Sequence, residues 1–536
     1  TLDPNEEIQI WLYVVVTYGV VSSGNITTAA LRRIASIFKE NFPAAYEILT
    51  KFTYMDDISH GCTKRANALK VMKDIQEVIS NAGFNVKMWC ISGETPCEKA
   101  SSDGINTSFA GYLWAPLQDH MSIGLTEINY NKKSRGTKKD NDVPVETVEQ
   151  VEDLTRTIPL TRRILLGKVM ELYDIIGIVE VIKAKLKIDM KEVVKYDYDE
   201  VLPDTLQELW VSNISLIHRA REIKLQRSFV PSSAVNPESL EVIVFCDAAQ
   251  VMCGVVAYCR MLLQDGSYEL RFITARSRSV SHTIPRNELE ACVLAAETLF
   301  CLMKTLGSRC VKYWILTDSE IALCWISNES KPLKQYVFNR VQHIRFLVDI
   351  KRVLHVPGNL NPSDVLTKGK IVPIKDLQPG GLWQNGPDWA RGDEELWPVR
   401  SYNQLCGNLT EEQNSSFEKE FLPTPGIVED NISKNFHCCY SDLKDCHCHM
   451  DEKCCACLRQ DVKSCVDQIL DEISFVEPSE SSFSMSQVIS QVTAFLSAGL
   501  SNGDVCAHFE TIQIHQDLPS SSSSLYRKEI VGNNNS

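Results

Sequence analysis

Residues 63–84, "TKRANALKVMKDIQEVISNAGF", carry apolar side chains at Ala66, Leu69, Val71, Met72, Ile75, Val78 and Ile79. That spacing is close to the 3.6-residue period of a helix with one buried face, and Gly83 suits its C-cap. Just before it, "KFTYMDDISHG" (51–61) places Asp56 and Asp57 after a short apolar run and before Ile58, as at the tip of a β-hairpin. Residues 1–125 alternate strand-like and helical runs, 131–145 are polar and read as a linker, and 155–230 read as mainly helical. From 242 the period changes. "EVIVFCDA", "CGVVAYCRML" and "YELRFITARS" predict three strands joined by short turns, one of them at Asp265-Gly266. "PRNELEACVLAAETLFCLM" (285–303) predicts a helix with Pro285 in its first turn and Leu289, Val293, Ala296 and Phe300 on one face. "KYWILTDS" predicts a fourth strand, "SEIALCWIS" a short helix and "KRVLHVP" a fifth strand, so 242–370 form an α/β domain. After 400 the chain turns polar, acidic and Ser-rich, and a largely irregular, partly disordered tail is expected.

Composition changes this picture in three ways. At 536 residues the chain has room for three to four domains of about 150 residues each. It opens on Thr1 in what reads as mid-domain sequence, so a piece of a longer product is expected. The apolar run at 10–21 is too short to span a bilayer and lacks the basic start of a signal peptide. An intracellular protein with no membrane partner is expected, and Cys246, Cys253, Cys292 and Cys324 read as reduced core thiols. The net charge of −14 excludes a uniformly basic nucleic-acid binder. That charge is uneven: Val242–Lys370 hold 16 Lys+Arg against 11 Asp+Glu, while 401–536 hold 8 against 20.

The informative chemistry lies in four acids of the α/β domain. Asp247 ends the first predicted strand and Asp318 the fourth, Glu288 sits in the first turn of the long helix, and Asp364 follows "NPS". Reactive groups of open α/β sheets collect where strands end. Each acid alone has a simpler reading as a turn residue, a cap or a complement to the helix dipole. Together they suit hard divalent cations, which take oxygen ligands and can promote phosphodiester hydrolysis as a pair.

At these residues the chain resembles the ribonuclease H domain of Bel/Pao retrotransposon polyproteins. The pieces that carry the resemblance are "VIVFCDAAQVMCGVVAY", "TARSRSVSHTIPRNELEA", "WILTDSEIALCWI", "FNRVQHI" and "HVPGNLNPSDVLTKG". The resemblance implies a mixed five-stranded sheet with flanking helices, and Mg²⁺- or Mn²⁺-dependent cleavage of the RNA strand of RNA–DNA hybrids. It also implies catalytic and metal-binding roles for Asp247, Glu288, Asp318 and Asp364. Asn287 stands where the family has Leu and Ala249 where it has Ser. His355 lies on the fifth strand and reads as a strand-surface residue, not a proton shuttle.

Upstream, "FTYMDDI" resembles the Tyr-x-Asp-Asp hairpin of reverse transcriptases, which implies a catalytic role for Asp56 and Asp57 and places Tyr54 at the template-primer. "GFNVKMWCISG" (83–93) and "FAGYLWAPLQD" (109–119) resemble the segments that follow it. "LTRRILLGKVMELYDIIGIVEVIKAKLK" (160–187) resembles the Bel/Pao connection, with Asp174-Ile175-Ile176-Gly177 for the usual Asp-Pro-Leu-Gly. "TYGVVSSGN" (17–25) has Gly24 and Asn25 where the family has Pro and Phe. The polymerase's remaining carboxylate would lie further upstream than this chain reaches, so polymerase activity is not expected of it alone.

Downstream, "GGLWQNGPDWARGDEELWP" (380–398) resembles the Trp-rich segment after the ribonuclease H, and 483–500 the helix before an integrase zinc region. The Cys/His cluster at 437–465 holds eight Cys and three His without clean Cys-x₂-Cys spacing, so a cysteine-rich insert is favoured over zinc binding.

The expected fold is multi-domain α/β. The divisions are a partial reverse transcriptase palm and thumb (1–130), a linker and helical connection (131–240), a ribonuclease H-like domain (241–372), a Trp-rich segment (373–400) and the tail (401–536). Expected partners are the RNA–DNA hybrid or template-primer and the protease and integrase segments of a longer polyprotein, in cytoplasmic particles or the nucleus. The alternative is an inactive transposon relic acting as a nucleic-acid-binding module.

Overall fold

A computed structural model describes residues 23–54, 57–62, 64–96, 105–125, 147–329, 331–405 and 410–421, and the backbone of 508–515. The N-terminal unit starts with α1 (Ser23–Ile37) and α2 (Pro43–Lys51). Strands β1 (Thr53–Tyr54) and β2 (Asp57–Cys62) follow and pair antiparallel, Tyr54 opposite Asp57, as the hairpin reading requires. Helix α3 (Arg65–Ser80) and β3 (Asn85–Ile91) complete the unit. The period-3.6 reading of α3 holds in its second half, where Ile75, Val78 and Ile79 are buried. Its first turns differ from expectation: Ala66 and Leu69 face solvent, and Ala68 is the buried residue there. Ile58 joins these helix residues, with Leu31, Ile48 and Leu49, in a small separate core.

The rest of the described chain shares one continuous core. Strands β4 (Thr107–Phe109), β5 (Tyr112–Ala115) and β6 (His120–Ile123) form an antiparallel meander. Helices α4 (Val148–Arg156), α5 (Arg162–Met170), α6 (Glu180–Val193) and α7 (Asp204–Arg219) follow, as the helical reading of 155–230 anticipates. β7 (Lys224–Gln226) then returns to pair with β6.

The α/β domain is built from β8 (Leu240–Ala248), β9 (Met252–Leu262), β10 (Tyr268–Ser279), α8 (Ile284–Leu306), β11 (Cys310–Thr317), α9 (Glu320–Ser327), α10 (Gln335–Leu347) and β12 (Val353–His355). Its sheet order is β10-β9-β8-β11-β12, antiparallel on the β9 side and parallel on the β11 side. This is the mixed five-stranded sheet expected. β8 is buried along nearly its whole length, as befits a central strand covered on both faces. Helix α8 buries Leu289, Cys292, Val293, Ala296 and Leu299 against it. Phe300, expected on that face, is 43% exposed, because the buried stripe steps three residues from Ala296 to Leu299.

Short helices α11 (Leu382–Asn385), α12 (Tyr402–Leu405) and α13 (Glu411–Glu418) pack onto this domain. Trp389 and Trp397 lie edge-on near Phe245 and Trp314, and Trp383 lies against Phe272. Under them Arg260, 2% exposed, pairs with Glu241 and donates to Ala390 O at 2.9 Å and Gly392 O at 2.7 Å.

Strand β13 (His508–His515) is antiparallel to both β2 and β3 and lies between them. Among the described residues no helix is long and apolar enough to cross a membrane. Asp56, the side chain of Tyr54, the 437–465 Cys/His cluster and 483–500 lie outside the described residues.

Candidate active site

The parallel register of β8 and β11 sets Thr317 opposite Cys246. Asp247 and Asp318 each follow one of those residues, so they leave neighbouring strands about 5 Å apart at the same end. The third acid arrives on α8. Asn287, fully buried, donates through Nδ2 to Ala249 O at 3.0 Å and Gln250 O at 3.2 Å, and its Oδ1 accepts the His282 N–H at 3.0 Å. The start of α8 is thereby tied to the β8–β9 turn, and Glu288 follows directly. A Leu there would fill the space without making these bonds. Asn287→Leu should therefore cost about 1–2 kcal/mol, the low end for buried groups because Gln250 is exposed and water can reach the turn. A denaturant titration measures it.

The fourth acid, Asp364, sits in a 3-10 turn, Pro362–Leu366. Asn361 starts that turn by accepting the Ser363 N–H, and its Nδ2 donates to Cys246 O at 2.9 Å. Gly254 is the residue opposite Asp247 on β9. A Cβ on Gly254 would meet the Leu366 side chain at 2.5 Å, so only glycine lets the turn lie down beside Asp247.

Three of the four acids have an internal partner. Thr367 Oγ1 donates to Asp247 Oδ2, Ser319 Oγ donates to Glu288 Oε2 at 2.5 Å, and Lys368 forms an ion pair with Asp364. Ser319, Asn361, Thr367 and Lys368 were not singled out from sequence. For Lys368 the signal was present, since it follows Asp364 at the four-residue spacing of a helical turn.

The acids feel one another. Burial first, then the charges of Asp318 and Asp247, push the Glu288 carboxyl up to about 7. Burial and the Asp247 charge push Asp318 to about 7 as well. Asp247 is raised by burial and by Asp364, against the Thr367 hydrogen bond. An all-oxygen donor set that repels itself in this way fits a hard divalent cation in its chemistry. Its side chains are not gathered around one point: among the described residues no group of three or more His, Cys, Asp and Glu has metal-holding geometry.

The sign of the pH effect follows. Glu288 and Asp318 hold their protons to higher pH in the folded than in the unfolded protein, so between about pH 4 and 7 the folded state binds more protons and stability falls as pH rises. Without divalent ions the melting temperature should carry a downward contribution across that window. Added Mg²⁺ should raise it at pH 7.5 and much less at pH 5. Equal Mg²⁺ responses at both pH values would count against the acids as the binding group.

His355 differs from expectation. It is 5% exposed, not a strand-surface residue, because Arg400 pairs along the edge strand and covers it. Its backbone pairs with Arg400, and its ring lies near Arg400 and Glu320. Asp57 starts β2 in the N-terminal unit, and among the described residues it forms no metal-holding group with the other four acids.

A mixed five-stranded sheet with carboxylates at the ends of two adjacent parallel strands is a ribonuclease H-like arrangement. Over residues 161–319 the chain matches the family model described as "Pao retrotransposon-like RNaseH-like domain", and it carries a domain of that family there. The match includes Asp247, Glu288 and Asp318 and stops before Asp364. No curated protein matched the sequence. Among solved structures, the chain is similar to the N-terminal RNase H domain of Rv2228c from Mycobacterium tuberculosis, fused to maltose-binding protein, at 17% identity and TM-score 0.19, covering 24% of this chain and 91% of that one. It is similar to RNase H1 from the archaeon Halobacterium salinarum NRC-1 at 16% identity and TM-score 0.19, covering 24% and 93%. A foamy viral protease-reverse transcriptase in complex with dsDNA is similar at 13% identity and TM-score 0.34, covering 67% and 60%.

Proposed function

We propose that the α/β domain hydrolyses the RNA strand of RNA–DNA hybrids, with Asp247, Glu288, Asp318 and Asp364 holding Mg²⁺ or Mn²⁺. The observation that carries this reading is the parallel register that sets Asp247 beside Asp318 at the ends of β8 and β11, with Asn287 and Asn361 tying the segments of Glu288 and Asp364 to that end of β8. Bound there, a pair of such ions would supply an activated water and neutralise the charge on the leaving oxygen. The chain's own groups do the positioning. Thr367 and Ser319 orient Asp247 and Glu288, Asn361 ties the Asp364 turn to β8, and Lys368 offsets one negative charge. The test is a labelled hybrid incubated with the purified chain and Mg²⁺. Shortened RNA with intact DNA supports the reading.

A second reading, a nucleic-acid-binding relic, is favoured by one observation: Asp247, Glu288 and Asp364 are already engaged by the internal partners Thr367, Ser319 and Lys368. Hybrid binding without cleavage at any Mg²⁺ or Mn²⁺ concentration would select it. The hairpin carrying Asp56 and Asp57 is read as part of a reverse transcriptase palm.

A further inference from the structure

Arg286 lies two residues before Glu288, and Lys331 and Lys334 lie on the connection from α9 to α10. All three cations are engaged by one acidic strap, residues 411–421. Glu420 takes Arg286 in a two-point fork, with Nε to Oε1 at 3.0 Å and Nη2 to Oε2 at 2.8 Å. Glu418 takes Lys331 at 2.8 Å, and the Lys334 ammonium donates to the Lys419 carbonyl. The fork is the geometry in which a guanidinium binds a phosphate. We infer that this basic face is a docking surface for the phosphodiester backbone of a nucleic acid, and that the Glu418 and Glu420 carboxylates occupy it in the backbone's place. The inference rests on the hybrid reading above, because it assigns the face to the same substrate.

The strap is held by contacts that do not depend on those carboxylates. Phe421 is buried and stacks edge-on with Phe417 at 4.8 Å, Leu333 pairs with Phe421, and Trp325 Nε1 donates to Phe417 O at 3.3 Å. The strap can therefore stay anchored while its two charged arms exchange for phosphates. The Lys331–Glu418 pair is about half exposed on both sides, so releasing it costs the fold little. Charge complementarity argues for this occupant: the segment from Val242 to Lys370 is net basic, and what covers its cations comes from the acidic stretch beyond 400.

The experiment compares the full chain, E418Q, the E418Q/E420Q double variant and the same double variant with R286A. Each binds a fluorescent RNA–DNA hybrid without divalent ions over a range of NaCl. Glutamine keeps the packing and removes the charge. The double variant should bind at least about threefold more tightly at low salt, and its log–log salt slope should steepen by about 1.5, for two cations freed to reach phosphates. E418Q alone, at the exposed pair, should give about half that steepening, and R286A should remove the share due to Arg286. Identical affinities and slopes in wild type and both glutamine variants overturn the inference and leave the hybrid reading standing. Failure of every form, including folded wild type, to bind hybrid overturns both.

Discussion

Asp247→Asn and Asp318→Asn each lower the rate of RNA cleavage in a hybrid by more than about a hundredfold, on the reading proposed for the α/β domain. Loss of a group that only supports a metal ligand already costs about 10- to 100-fold, and these would be ligands themselves. The loss should come without loss of fold. Both carboxyls are held above their ordinary range, Asp247 by burial and the Asp364 charge and Asp318 by burial and the Asp247 charge, so ionising them at neutral pH works against the folded state. Removing one charge relieves its neighbours. At pH 7.5 without divalent ions each variant should melt at the same temperature as the native protein or higher, and should lose part of the Mg²⁺-induced rise. Cleavage equal to wild type would remove these residues from the site. Lost cleavage together with a lowered melting temperature would mark a structural role instead.

The largest stability effect is expected at Asp174. Its carboxylate is 7% exposed and accepts four hydrogen bonds: Tyr112 Oη–H at 2.7 Å, and the backbone N–H groups of Gly177, Ile178 and Val179 at 2.9, 3.2 and 2.8 Å. It thus closes the loop that leads into α6 and ties it to β5. The same loop holds the edge of the five-stranded sheet, because Ala275 N–H and Thr274 Oγ1–H both donate to Ile176 O, at 2.9 and 2.7 Å. Asp174→Ala strands four buried donors and should cost about 3–5 kcal/mol. Chemical denaturation measures the cost. Hydrogen exchange at the Ala275 amide shows whether the sheet edge is released with it. Gly177→Ala should act at the same place by another cause. Gly177 has φ +85°, and a Cβ there would lie 2.0 Å from Ala275 O, a backbone atom that cannot swing aside. A loss under about 1 kcal/mol for Asp174→Ala would mean that water replaces the carboxylate, and the loop would then not be the clasp described.

That loop shows how far the sequence could be read. Asp174 and Gly177 are the two residues of the connection motif that match the family, and the structure explains both: one supplies the acceptors, the other the only backbone that fits against β10. Their job was only partly legible, because one of the four donors comes from Tyr112, 62 residues away, and the packing surface from Ala275. Asn287 is a similar case. It departs from the family's Leu, and its side chain satisfies three backbone groups that sequence alone does not bring together. His355 was misread for the same reason, since its cover comes from Arg400.

Periodicity and turn chemistry determined the local elements. The run of three strands, a long helix and two further strands was written in alternating and 3.6-residue patterns, because side-chain period depends only on backbone geometry. The sequence likewise determined which acids stand at element ends. Tertiary structure alone decided that β8 and β11 are neighbours in register, which sets Asp247 beside Asp318. It also decided that the connection shares one core with the sheet, and that an acidic strap from beyond residue 400 covers Arg286 and Lys331. Pairing, burial and charge contact join residues distant along the chain, and their energies depend on separation in space rather than in sequence.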